Sequence, residues 1–478
     1  MKKLVVLLTG CLLAVSCFEG NRQPSEEELS AFGTYVTSLD SSLRGKWFTR
    51  MGVSQDADTL LAYLRRELPA NGLDTTAFFI PQIAEDLNIV HTLAFDSVGQ
   101  SINEVLIRLD ANLSKAFVEY TTGQRYGFMR PEKVFNRLEM KAEGGGYVQL
   151  FDYEIKEPDY KASEQQLESG DRMNYLMASR PENYVYQMLR EKLVFDSDKV
   201  ERRRLAINME RCRWQMEHPK KNEKQIIVNV PSQQLWAVGD DSVLNMKICC
   251  GATTTKTPLL NSAINYLQVN PEWIIPKKIV ETDVARHAGD SSYFARNHYY
   301  IVDRSKGDTL RVADVSAAQL KSGRLRVGQR GGAGNSLGRI VFRFPNNFSV
   351  YLHDTNNHGA FNRDRRTLSH GCVRVQKPFD LACFLMPEMD EWTKDRLRIS
   401  MDIRPESEKG RDYLKEHADD PRPFRLIVYR DISPRVPVYI VYFTEYPNPE
   451  TGKMESWPDL YGYDKVISRE LDAFLLKE

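Results

Sequence analysis

The chain has 478 residues, enough for two or three domains, and its hydrophobic fraction of 42% can furnish sizeable cores. Lysine plus arginine and aspartate plus glutamate both number 65, so the formal net charge is zero. That balance argues against general nucleic-acid binding, which needs a positive excess to neutralise phosphates.

Met1-Lys2-Lys3 and the apolar run from Leu4 to Val15 have the form of an export signal. The run is shorter than the roughly 20 residues of a membrane-spanning helix. Leu13-Ala14-Val15-Ser16-Cys17 sets small residues directly before a cysteine, as in a bacterial lipoprotein signal with Cys17 as the lipidated residue. An ordinary cleaved signal is the alternative. Residues 1–17 are expected to be the signal and 18–40 a polar tether. The expected location is the bacterial cell envelope, on the periplasmic side, with a lipid anchor in a membrane.

From about Leu29 to Leu138 apolar residues recur at helical spacing, as in Leu60, Leu61, Leu64 and Leu68, or Leu106, Leu109, Leu113 and Phe117. Lys141 to Asp171, with Gly144-Gly145-Gly146, reads as a loop or linker. Helix resumes around Pro181 to Trp214, where Glu201-Arg202-Arg203-Arg204 reads as a solvated face. A mainly helical domain is expected over 41–218.

At Pro219 the pattern changes to short β-rich runs between turn signals. Gln225 to Pro231, Leu235 to Val238, Val243 to Cys250, Ile264 to Val269 and Arg339 to Phe344 are examples, and Phe348 to Leu352 reads as a further strand ending at His353. The class expected is α+β, with the β-rich part forming a sandwich or curved sheet. Ile279 to Gly334 interrupts the strands with basic, Gly-rich sequence, including Arg324-Leu325-Arg326 and Arg330-Gly331-Gly332. It reads as a flap over a site, with arginines available for anionic groups.

The chemistry concentrates between Val350 and Val375, VYLHDTNNHGAFNRDRRTLSHGCVRV. Cys249 and Cys250, in an apolar strand-like run, and Cys383, at helix-like spacing, read as core. Cys372, between Gly371 and Val373, asks for another reason. A thiolate is the nucleophilic form, and an imidazole can take the thiol proton. His370 is two residues away, and His353 stands at a strand end, so either serves as a candidate base. His358 reads as a surface residue. Backbone N–H groups around Gly371-Cys372 could hold an oxyanion. Tyr351 lies on the same strand face as His353. Arg374 could bind a carboxylate or brace the loop. The histidine and cysteine spacing matches no familiar metal-ligand pattern, so neither metal nor cofactor is expected.

The pattern His353 … Ser369-His370-Gly371-Cys372-Val373-Arg374 resembles the signature of the L,D-transpeptidase catalytic domain of YkuD type. Tyr266 to Pro276, Asn335 to Arg339, Phe344-Pro345-Asn346, Tyr351 to Thr355, Arg211 to Trp214, Pro437 to Tyr442 and Tyr461 to Asp464 resemble its large, multi-domain periplasmic subgroup. The resemblance implies a helical scaffold followed by a sandwich-like catalytic domain over 224–404, with a capping insertion at 279–334 and a C-terminal extension over 405–478. It implies Cys372 as nucleophile and His353 as base. Ser369, His370, Gly371 and Arg374 complete the motif, and Tyr351 with the Gly371-Cys372 amides lines the oxyanion region. In such enzymes a backbone carbonyl orients the histidine, so Asp354 need not be a third member. The implied partners are peptidoglycan stem peptides, a tetrapeptide donor that loses its terminal D-alanine and a diamino-acid acceptor, giving 3→3 cross-links. Hydrolysis of the same acyl-enzyme, or a non-enzymatic peptidoglycan-binding lipoprotein, are the alternatives. The small peptidoglycan-binding module common in this subgroup is not legible between Gly144 and Asn208, unless Tyr160 to Lys192 is a diverged remnant.

Overall fold

A computed structural model describes residues 24–39, 46–49, 52–95, 99–139 and 148–477. The expected signal, with Cys17, lies outside the described residues, as does part of the tether. Among the described residues no helix is long and apolar enough to cross a membrane. The chain divides into two compact units.

The first unit comprises Met1–Phe128, Glu157–Pro181 and Leu471–Glu478. Its main helices are Glu26–Leu39, Gln55–Ala70, Ile80–Thr92 and Ile102–Tyr126, with a small hairpin of β1 (Phe48–Thr49) and β2 (Gly52–Val53). The stripes read from the sequence are the faces that pack. Leu60, Leu64, Leu68, Leu109, Leu113 and Phe117 are buried around Trp47 and Phe78, each full burial stabilising by roughly 1.5–3 kcal/mol. The longest helix begins at a capping box, in which Ser101 accepts from the Glu104 amide and the Glu104 carboxylate accepts from the Ser101 amide. Buried Asp86 accepts from Arg108 Nη2 at 2.6 Å and Nε at 3.0 Å, so its charge is compensated.

The second unit comprises Met129–Lys156 and Glu182–Glu470. The stretch Tyr160 to Lys192 is divided between the two units at Pro181. The helices Tyr184–Phe195 and Lys199–Arg213 belong here. Arg202 to Arg204 do not make the solvated face expected of them. Arg202 donates to the Leu193 carbonyl at 2.6 Å, Arg203 to Ser468 Oγ at 2.8 Å, and Arg204 pairs with fully buried Glu445 at 3.2 Å.

In chain order the strands of this unit are β3 (Gln225–Asn229), β4 (Gln234–Val238), β5 (Val243–Gly251), β6 (Leu260–Val269), β7 (Trp273–Ile274), β8 (Tyr299–Asp303), β9 (Thr309–Leu310), β10 (Leu325–Gln329), β11 (Ile340–Arg343), β12 (Leu352–His353), β13 (Thr367–Ser369), β14 (Val373–Val375), β15 (Tyr429–Val441), β16 (Glu445–Pro447) and β17 (Met454–Ser456). The large sheet runs β13-β5-β14-β12-β11-β6-β15-β3-β4. Because β4 also pairs with β5, this ladder closes on itself. The α+β class holds: the β-rich part is a closed, strongly curved sheet rather than two free layers. Leu267, Ile340, Phe342, Leu352, Val373 and Val375 fill its interior and are fully buried. Three strands of the stretch expected as an insertion join β7, which lies ahead of Ile279, in a separate four-stranded sheet, β7-β10-β8-β9, over a small core that includes Val284, Phe294, Ile301, Leu320 and Val327.

The strand expected from Phe348 is shorter than the sequence suggested, and begins only at Leu352. Asn346 is the reason. Its Oδ1 accepts from the Phe348 and Val350 amides, and its Nδ2 donates to the Phe344 and Val350 carbonyls. These local bonds compete with the ladder for the same backbone groups. Ser349 follows in left-handed conformation, at φ 56°.

Candidate active site

Three neighbouring strands build the site. Val341 pairs with His353 across β11 and β12, and His353 pairs with Arg374 across parallel β12 and β14. Leu352 and Val373 point into the closed sheet, so the residues on either side of them point outward. The same register, carried back one step, sets Tyr351 between Arg343 and Cys372. The Arg343 guanidinium lies 4.3 Å from the centre of the Tyr351 ring, and the Tyr351 ring meets His353 edge-on at 5.7 Å. One outward face therefore gathers Tyr351, His353, Cys372, Arg343 and Arg374.

The turn before Cys372 is held from several directions. Gly371 has φ 115°, a conformation open to glycine and strained for other residues. Ser369 Oγ donates to the Cys372 carbonyl at 2.5 Å and accepts from the Gly371 amide at 3.2 Å. The Gly371 amide is thus engaged within the turn. The Ser369 carbonyl accepts from Thr255 Oγ1 and the Ala252 amide, both at 2.9 Å. Thr257 Oγ1 donates to the Gly371 carbonyl at 2.8 Å and accepts from the Gly251 amide at 2.8 Å. Tyr461 in turn donates to the Gly251 carbonyl at 2.7 Å and accepts from the Thr257 amide at 3.2 Å.

Cys372 is partly exposed, and its sulfur lies 3.9 Å from the Ser349 carbonyl. Burial pushes the thiol up, while the Tyr351 amide and phenol and the charges of Arg343 and Arg374 act in the other direction. His353 is 4% exposed. Burial, then the Arg374 charge, push its imidazole down to about 3. Backbone groups of Asp354 and Leu337 favour the protonated ring, although Nδ1 makes no hydrogen bond of normal geometry. Burial raises the Tyr351 phenol, and the neighbouring Cys372 adds to the rise. The face thus holds a neutral imidazole, a neutral thiol and two cations.

The other residues singled out in the sequence separate clearly. Asp354 Oδ2 accepts from the Arg339 amide at 2.8 Å and Oδ1 lies 3.6 Å from His358, so its carboxylate braces the Gly338-Arg339 turn. A Cβ at Gly338 would stand 2.4 Å from that carboxyl group. His358 and His370 are exposed. Among the described residues no group of three or more His, Cys, Asp or Glu side chains gathers as a metal site, and the five described cysteines are unbridged.

Sequence reasoning missed four contributors. Trp273, on β7, packs against Leu337, Val341 and Tyr351, the cluster that Cys372 also packs against. Arg343 reaches Tyr351 from β11, and Thr257 and Tyr461 brace the turn. Trp273 and Tyr461 stood in recognisable blocks without a role. Arg343 had one available signal, its place two residues after Val341 on an alternating strand.

Residues 223–393 match the family model of the L,D-transpeptidase catalytic domain (YkuD), and residues 43–193 match that of a scaffold domain. A Haemophilus influenzae (strain Rd) protein named "Putative L,D-transpeptidase" is 28% identical over 320 residues, covering 65% of this chain. The match spans 59% of that protein's length. The solved structure titled "Structure of the Ldtfm-avibactam carbamoyl enzyme" aligns with 57% of this chain and 76% of its own at 12% identity and a TM-score of 0.22, too low to carry argument. Residues 223–393 are thus a YkuD-type L,D-transpeptidase catalytic domain, preceded in the chain by a helical scaffold domain.

Proposed function

We propose that this protein is a peptidoglycan L,D-transpeptidase that forms 3→3 cross-links through an acyl-enzyme on Cys372. One observation carries the reading: Tyr351, His353 and Cys372 share one face of the sheet, beside Trp273 of β7. His353 takes the thiol proton as sulfur attacks the carbonyl of the third residue of a tetrapeptide stem. Both groups rest neutral, so proton transfer accompanies attack rather than preceding it. The oxyanion is held by the Tyr351 phenol and the Cys372 amide. The tetrahedral intermediate collapses, the imidazolium proton passes to the departing amine, and D-alanine leaves. The side-chain amine of a second stem then attacks the thioester, His353 accepts its proton, and the thiol is restored. Ser369, Gly371 and Thr257 hold the turn, and Arg374 meets a carboxylate of the stem.

The test is incubation of purified protein with disaccharide-tetrapeptides, read by mass spectrometry. The expected result is cross-linked dimer with loss of D-alanine, and none from Cys372→Ala. Tripeptide monomer alone would make the enzyme a carboxypeptidase, and product from Cys372→Ala would overturn the mechanism. We further propose an envelope location with lipid on Cys17. Cys17→Ala should release the protein from the membrane fraction, and unchanged fractionation would refute the anchor.

A further inference from the structure

Arg343 and Arg374 stand on the active-site face without a protein anion. Neither is in an ion pair among the described residues, and the Nε of each is buried without a hydrogen-bond partner. Both residues are partly exposed, so it is this buried N–H of each that lacks a partner, and a buried polar group is costly unless hydrogen-bonded. The surroundings do not supply the partner. Arg343 is flanked by Tyr351 on one side and, across β11–β6, by Tyr266 on the other. Asp431 continues that row beyond Tyr266, two strand spacings or roughly 10 Å from Arg343, and forms no ion pair with it. Arg374 is flanked by His353 and Cys249, a neutral imidazole and a neutral thiol. Asp354 is turned to the Arg339 amide on the opposite side of its strand.

Position gives these charges a direction. Tyr351 separates Arg343 from Cys372 within one cross-strand row, while Arg374 follows Cys372 by one same-face step along β14. Two guanidinium groups thus share the face of the sulfur, one across the strands and one along β14, and the charge of each acts on Cys372. The Arg343 guanidinium also lies over the Tyr351 ring, a cation–π contact that uses none of its N–H donors.

We propose that Arg343 works with Arg374 as a carboxylate clamp that selects the donor peptide, so that a donor must carry an ionised carboxylate beside the attacked carbonyl. This rests on the acyl-enzyme reading above. The carboxylate has two possible sources, the side chain of the acyl-donating residue or the C-terminus of the leaving residue. Both present the same planar anion to a guanidinium fork.

Three donor stems separate them: unmodified, amidated at the side-chain carboxylate of the third residue, and amidated at the C-terminus. Acylation of Cys372 is followed by intact-protein mass spectrometry in wild type, Arg343→Gln and Arg343→Lys, with iodoacetamide as an uncharged probe of the thiol. In wild type, one amidated stem should acylate about 10- to 100-fold more slowly than the unmodified stem. Arg343→Gln should show that same loss on the unmodified stem and no further loss on the amidated one. Arg343→Lys should recover part of the discrimination, and iodoacetamide should reach Cys372 in all three proteins. The stem that is rejected names the source of the carboxylate. If Arg343→Gln discriminates between the stems as wild type does, or wild type accepts all three equally, the clamp is wrong while the acyl-enzyme stands. If wild type forms no adduct at Cys372 with any stem, the acyl-enzyme reading falls and the clamp with it.

Discussion

His353 and Arg374 are register partners across the parallel β12–β14 ladder, so a guanidinium stands beside a buried imidazole. Burial and that charge both disfavour imidazolium. The same guanidinium favours the thiolate of Cys372, against the burial that raises the thiol. The pair at rest is therefore uncharged, unlike a preformed thiolate–imidazolium couple.

Removing the charge tests that state. In Arg374→Gln, the pH profile of Cys372 alkylation by iodoacetamide should move to higher pH, because the thiolate loses a stabilising neighbour. Neither the wild type nor the variant should show an inflection near the ordinary histidine value of about 6.5. An inflection there would mean that His353 titrates in the resting enzyme and that the neutral pair is wrong.

The buried imidazole also links stability to pH. Folded His353 titrates at about 3, and the unfolded residue at about 6.5. Between those values the unfolded chain binds more protons, so stability from this group rises with pH and is lost as pH falls from 6.5 towards 3. Its slope is at most about 1.4 kcal/mol per pH unit. His353→Asn removes that contribution. Urea midpoints of the variant should change less between pH 6.5 and pH 4 than those of wild type, and parallel curves would contradict a neutral buried ring.

Tyr351 makes a separable contribution. Its amide and its phenol both favour the Cys372 thiolate, and only the phenol is lost in Tyr351→Phe. The ring remains to pack with Leu337 and Val341. Stability should shift by about 0.5–1.5 kcal/mol, the usual net worth of one hydrogen bond. Acylation of Cys372 by a tetrapeptide stem should slow by about 10²–10³-fold, as for loss of one oxyanion donor. Single-turnover mass spectrometry measures it, and an unchanged rate would remove the phenol from the oxyanion region.

What the sequence makes legible follows from the range of each interaction. Period-two alternation puts Tyr351 and His353 on one face, and period-3.6 stripes such as Leu60, Leu64 and Leu68 identify the buried sides of helices. Both are local. Arg343 and Trp273 come from strands whose pairing with β12 and β10 is not written in their own neighbourhoods. Arg202 to Arg204 look solvated from the helix alone, because Glu445 and Ser468 lie far along the chain. The start of β12 is misread because one side chain, Asn346, takes the backbone groups that a strand would use. Thr257 and Tyr461 act through backbone partners, which no pattern of side chains reveals.

That bracing yields the last prediction. Thr257 is the link between the Gly251 amide at the end of β5 and the Gly371 carbonyl in the turn before Cys372. Thr257→Val keeps the shape and removes the hydroxyl, leaving a buried donor and acceptor unmatched, at a cost of about 1–3 kcal/mol. The turn then loses a constraint on the amide that follows Gly371. Acylation should fall with kcat reduced more than KM is raised, because the amide matters most once the oxyanion forms. Tyr461→Phe, one bond further out, should produce the same split more weakly. Thr257→Ser, which restores the hydroxyl, should recover kcat even where it does not recover stability. Equal losses of kcat from the serine and valine variants would mean that Thr257 supports packing alone and does not position the turn.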